Sequence, residues 1–147
     1  MDTDPSRRTR QLMYDAALLT EHALTLDGAL QLAAEAGALL LIEQSLAALI
    51  AELAVPQPLA PQPWWLMLRQ LPESLQERRL LERTLLTAEG ELYGLYARLE
   101  HQRTGRSAAV GMIATTASLQ EQLLWLKEQL IALRALANTL RASAQFC

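Results

Sequence analysis

A single cysteine, Cys147, in a chain of 147 residues excludes an internal disulfide and any multi-cysteine metal site. Standing last, with no base or resolving thiol implied nearby, it reads as an incidental tail thiol. Histidine is almost as scarce. His22 and His101 each directly follow a glutamate, and neighbours on a helix point about 100° apart. Neither completes the Glu-x-x-His spacing that aims two ligands into one core layer of a di-metal bundle, so no metal and no cofactor is expected. Gly-x-Ser-x-Gly, a phosphate-cradling glycine loop and a dinucleotide fingerprint are all absent. No catalytic residue can be named, and the expectation is a protein that is not an enzyme.

Other scarcities bound the partners and the compartment. Arg7, Arg8, Arg10, Arg103 and Arg106 form only a local basic excess in a chain of net charge -3 and pI near 5.4, which is not the footprint of a nucleic-acid binder. The N-terminal residues place no apolar core behind their arginines, so no secretory signal is expected. The most apolar stretch, residues 36–55, is interrupted by Glu43, Gln44 and Glu52, whereas a spanning helix needs about 20 mostly apolar residues. These absences predict a cytoplasmic protein without a transmembrane segment.

What the chain does have is leucine and alanine, which fill 57 of its positions, much of the leucine recurring every three to four residues. That period predicts amphipathic helices. Leu12, Ala16, Leu19, Ala23 and Leu26 define a helix over about 7–26. A break at Asp27-Gly28 opens a second helix, over 28–54, with Leu32, Leu39, Ile42, Leu46, Leu49 and Leu53 on its seam. Four prolines between positions 56 and 63 exclude regular helix and predict an extended crossover reaching roughly 25 Å. A short helix follows from Trp64 to Leu71. Pro72, with Ser74 and Glu77 in capping-box spacing, starts a third long helix over 73–102 on Leu81, Leu85, Ala88, Leu92, Leu95 and Leu99. Gly90 and Gly94 within it mark a bend or a close helix contact.

Residues 104–116 turn small and flexible and read as a loop in which Ser107 has no evident base. Ser118 and Glu121 then cap a fourth helix over 118–144, with Leu119, Leu123, Leu126, Leu130, Leu133, Ala137 and Leu140 as its seam. The fold expected is all-α: one domain over 1–147, an antiparallel four-helix bundle with a proline-rich crossover and a short helix between helices two and three.

Three features point to partners. Trp64 and Trp65 stand outside the long helices, where they serve either as a plug closing one end of the bundle or as a contact surface; Trp64 inward and Trp65 partly exposed is the intermediate arrangement. Lys127, Arg134 and Arg141 recur every seven residues beside the seam of helix four, as charges pairing with a neighbouring helix or as a strip for an acidic partner. Leu124 and Ile131, also seven apart, lie outside that seam and offer a homodimer face. Glu35, Glu43 and Glu52, at spacings of 8 and 9, do not share one stripe, and at least two of them read as flanking or solvent-facing charges.

Three segments, Leu39-Leu40-Leu41-Ile42-Glu43-Gln44-Ser45-Leu46, Leu71-Pro72-Glu73-Ser74-Leu75 and Glu89-Gly90-Glu91-Leu92, give a chain that resembles small uncharacterised helical proteins of gammaproteobacteria. That resemblance implies a bacterial cytoplasmic setting and carries over no activity. The function expected is a non-enzymatic protein-protein interaction module or adaptor with an unknown protein partner. Its alternative is a bundle that binds an apolar small molecule or lipid between its helices, suggested by leucines beyond the seams such as Leu40, Leu41, Leu86 and Leu124.

Overall fold

The leucine period closes into six helices in a computed structural model that describes residues 4–54, 58–105 and 118–145. They are α1 (Ser6–Ala23), α2 (Gly28–Leu53), α3 (Trp64–Gln70), α4 (Gln76–Leu85), α5 (Tyr93–Thr104) and α6 (Leu119–Gln145). No strand occurs among the described residues. Pro56, Cys147 and most of the expected loop over 104–116, Ser107 included, lie outside them.

The break between α1 and α2 sits where the glycine predicts it. Gly28 adopts φ +59, a left-handed conformation that favours glycine. Asp27 takes the N-cap position, although its side chain makes no capping bond. The chain then doubles back, and Gly37 lies so close to α1 that an added Cβ would stand 2.9 Å from Leu19 Cδ2. Of the predicted α2 seam, Leu39, Ile42, Leu46 and Leu49 are buried and Leu53 packs at the edge. Leu32 is exposed, a correction to its expected place, because the buried face of the first α2 turns is carried by Gln31, Ala34 and Glu35. Gln31 holds the end of α1 through the Ala23 carbonyl, 3.1 Å away.

The third helix is not continuous. Its expected span divides into α4 and α5, and the reason is Gly90. A Cβ there would stand 2.2 Å from the Thr84 carbonyl oxygen, so only glycine lets the chain fold over the end of α4, where the Leu92 amide donates to that same carbonyl at 3.0 Å. Ala88, read as a seam residue, is exposed in this turn, while Leu81, Leu85, Leu92, Leu95 and Leu99 all reach the core. Gly94 supplies the close contact instead, with the Trp125 ring 3.2 Å from its absent Cβ. Gly90→Ala is expected to cost about 1–3 kcal/mol, the usual range for overpacking against groups that cannot yield, whereas Gly94→Ala meets only a side chain and should cost less. Paired urea melts followed by circular dichroism test this ordering.

The turn also resets direction. Glu35 pairs with Arg98 and Glu43 with Arg103, so numbers rise together along α2 and α5 and the two run in the same sense rather than antiparallel. The two predicted capping boxes part company. The Glu121 amide donates to Ser118 Oγ at 3.1 Å, closing half of the expected box. At the other site α4 begins later, at Gln76, after an extended Leu75. There the buried Glu77 carboxylate accepts from Ser143 Oγ of α6 at 2.6 Å, so a contact between helices replaces the local one.

Candidate functional site

Two regions concentrate chemistry, and the tryptophan pair is the first. Pro63, at φ -56 and ψ 143, feeds an extended chain into α3 and turns Trp64 inward. Its ring is only 1 % exposed, with edge-on contacts at 6.0 Å to both Trp65 and Tyr96. That burial removes Trp64 from any contact surface. Trp65 is half-buried, and the Arg103 guanidinium lies 3.8 Å from its ring centroid, so one ring face is already covered by a cation.

Beneath this stack the Glu43 Oε1 stands 3.5 Å from Arg103. Burial pushes the Glu43 carboxyl above its ordinary range, and the nearby Arg103 and Trp64 pull against that rise. The indole N–H and Glu43 Oε1 nonetheless complete no hydrogen bond of ordinary geometry. This cluster locks α2, α3 and α5 together and presents little free surface.

The second region lies between α1 and α6. Leu126, Leu133 and Leu140 anchor α6 in the core, and the residues that follow them emerge beside α1. Lys127 pairs with Glu21 near the end of α1. Arg141 reaches Glu52 of α2 through Nε at 2.9 Å and Nη2 at 3.2 Å, and the same carboxylate accepts from the Thr9 hydroxyl. Arg134 is exposed and makes no ion pair among the described residues. The basic stripe thus has two paired members and one, Arg134, that is exposed and makes no ion pair among the described residues.

Facing it across an open groove of about 480 Å³ are Arg7, Arg10 and Tyr14, with Asn138 and Arg141 completing the α6 wall. Arg10 holds Asp4 at 3.0 Å. Ser6's hydroxyl and amide, with Arg10 adding to them, keep the Asp4 carboxyl below its usual range. Two of these guanidinium groups, Arg10 and Arg141, are engaged by the carboxylates of Asp4 and Glu52. Tyr14, which lines the groove, is 53 % exposed, and Leu18 one turn on is 50 % exposed. On α6, Ile131, one turn before Arg134, is 65 % exposed and Leu124 is exposed as well.

The arginines of the N-terminal excess could be read in the sequence only as a local cluster. What brings them to Arg134 is the opposed run of α1 and α6, in which Glu21 meets Lys127 while Arg7 and Arg10 meet Arg134 and Arg141.

A further depression, at the α4–α5 turn, is lined by Arg83, Thr84, Glu89 and Glu91 and is open as well. The leucines beyond the seams do not turn inward to line a cavity: Leu40, Leu86 and Leu124 are exposed, and Leu41 packs against the core. Among the described residues no three of His, Cys, Asp and Glu come close enough to hold a metal ion. One helix, α2, is long and apolar enough to cross a membrane by length and composition. Its three acids pair with arginines of α5 and α6; Glu35 is buried, while Glu43 and Glu52 are partly buried, in keeping with the expectation that at least two are flanking charges.

The model of a family of unknown function, DUF6586, matches residues 1–147. No curated protein and no solved structure matches the chain.

Proposed function

The chain belongs to DUF6586, a family of unknown function, and from that premise we propose that it is a non-enzymatic interaction module of the bacterial cytoplasm whose recognition surface is the arginine-lined groove between α1 and α6. The observation that supports this reading is convergence. Arg7 and Arg10 from one end of the chain and Arg134 and Arg141 from the other line one open groove in a protein whose net charge is -3. Like charges gathered at one place oppose folding unless something offsets them. Asp4 offsets Arg10 and Glu52 offsets Arg141, whereas the exposed Arg134 makes no ion pair among the described residues.

The exposed apolar groups beside the groove, Tyr14, Leu18 and Ile131, add contact area of the kind that binding surfaces concentrate. This moves the contact surface away from the Pro-Trp segment. Trp65 stays at most a rim residue, since Arg103 already covers one face of its ring.

The reading is tested by placing a photo-crosslinking amino acid at Tyr14, and separately at the exposed Arg69 of α3, in cells that naturally make the chain. A discrete adduct at Tyr14 that is missing at Arg69 is the expected result. Adducts at neither position, or equally at both, would remove the groove as a recognition surface.

A further inference from the structure

We propose that Glu43 and Arg103 form a proton-sensitive latch: ionised Glu43 holds the Arg103 guanidinium over the Trp65 ring, and proton uptake by Glu43 releases the guanidinium and uncovers the ring. An acid on α2 is tied to a ring on α3 through the last turn of α5. Arg103 Nη1 lies 3.5 Å from Glu43 Oε1, and the same guanidinium covers Trp65 at 3.8 Å from its ring centroid. Glu43 Oε1 is shut off from solvent and completes no hydrogen bond of ordinary geometry. A buried carboxylate with a distant cation and incomplete hydrogen bonding is costly, and a proton removes that cost. The latch shares no residue with the α1–α6 groove and acts whether or not that groove binds a partner.

Burial pushes the Glu43 carboxyl up, while Arg103 and then Trp64 pull it back. Its neutral form is therefore the one that folding favours. Glu43 adds to stability below its ordinary range, and that contribution is lost as pH rises through the raised value. Above that value the carboxylate is charged and Arg103 is held. Below it the attraction that ties Arg103 to α2 is gone and only the ring face remains. The Arg103 side chain is 30 % exposed even when held, so its release into water requires no opening of the core.

The released guanidinium has somewhere to go. Glu100 and Arg103 both act on the Tyr96 phenol, which puts Glu100 within electrostatic reach of the guanidinium, at the i, i+3 spacing at which helix neighbours pair. The latch thus has two positions, across to α2 when Glu43 is charged and back along α5 when it is neutral. The other charges on the packed elements are held or set apart. Arg98 of α5 pairs with Glu35, His101 lies roughly 200° around α5 from Arg103, and Arg69, the one charged residue of α3, is exposed.

An NMR titration of the whole chain from about pH 8 down to about pH 4, which spans ordinary and raised carboxyls, tests the latch. The Glu43 carboxyl carbon is expected to titrate with a midpoint above those of the exposed Glu73 and Glu91. The Arg103 Nε–H and Trp65 indole signals should move with that same midpoint. In Glu43→Gln, which keeps the shape and removes the charge, both signals should stay at their low-pH positions throughout. Arg103→Gln should raise the Glu43 midpoint further, since the cation that lowers it is gone, whereas His101→Gln should leave it in place. A Glu43 midpoint level with the exposed glutamates, or Arg103 and Trp65 signals that do not follow Glu43, would overturn the latch on the unaltered chain alone. The same movement persisting in a folded Glu43→Gln would overturn it as well. So would collapse of the α2 and α3 amide signals at that midpoint, because the event would then be unfolding rather than release.

Discussion

Trp64→Ala is expected to lower the free energy of unfolding by about 3–5 kcal/mol, the range for truncating a large aromatic ring in a core. The ring is almost wholly enclosed, in edge-on contact with Trp65 and Tyr96, and belongs to the same cluster as Leu39, Ile42, Met67, Leu68 and Leu95. Its removal leaves a cavity that three helices would have to collapse to fill. The indole N–H completes no hydrogen bond of ordinary geometry, although it helps hold the Glu43 carboxyl down, so most of the lost stabilisation is apolar. Trp64→Phe should therefore recover much of it, since phenylalanine restores most of the volume without a buried donor. Urea unfolding followed by circular dichroism, with the slope checked for constancy, measures both variants. A loss below about 1 kcal/mol for Trp64→Ala would contradict the enclosure of the ring. Binding at the α1–α6 groove should be unaffected in either variant while the protein remains folded, because the two regions share no residue.

That expected separation shows which parts of the molecule were legible in the residues. Seams were legible wherever the period ran unbroken. Every predicted seam position of α6 from Leu123 to Leu140 is buried, because a helix of that length has one way to face a core. The split at Gly90 was not. Leucines on both sides disguise the turn, since Leu85 and Leu92 reach the core from two helices as well as they would from one, and only the exposed Ala88 between them breaks the seam. The partners of the α2 acids were hidden for a related reason. Glu35 and Glu43 point toward α5 and Glu52 toward α1 and α6, so they need no common stripe: each meets its own arginine from a different neighbour. Spacing within one helix reports a shared face. It is silent about three separate interfaces.

The candidate site was half legible. The heptad of Lys127, Arg134 and Arg141 was visible as a stripe, and its pairing reading holds for two of its members. Lys127 and Arg141 pair with acids on neighbouring helices, whereas Arg134 stays open. Only the register between α1 and α6 could distinguish them. In that register Glu21 falls opposite Lys127, and Glu52 of α2 reaches Arg141, while the α1 residues that line the groove with Arg134 are Arg7, Arg10, Gln11, Met13 and Tyr14, none of which is an acid.

Glu52→Ala carries the second large effect, an expected loss of about 3–5 kcal/mol, the cost of breaking a largely buried charge pair from one side. The Glu52 carboxylate is the meeting point of three helices. It accepts from the fully buried Thr9 hydroxyl of α1 and from two nitrogens of Arg141 on α6, and its removal strands both donors. Arg141→Met should be comparably harmful, because it leaves the buried carboxylate without its cation. The double variant Glu52→Leu with Arg141→Met is the informative one. If the pair holds register rather than supplying net stability, an apolar replacement of both partners should fall within about 1–2 kcal/mol of the parent protein, far less than the sum of the single losses. The buried Thr9 hydroxyl, still without an acceptor, accounts for the remainder, and Thr9→Val in that background should reduce it. Losses that simply add would show that Glu52 and Arg141 act independently and that no clamp joins α1, α2 and α6.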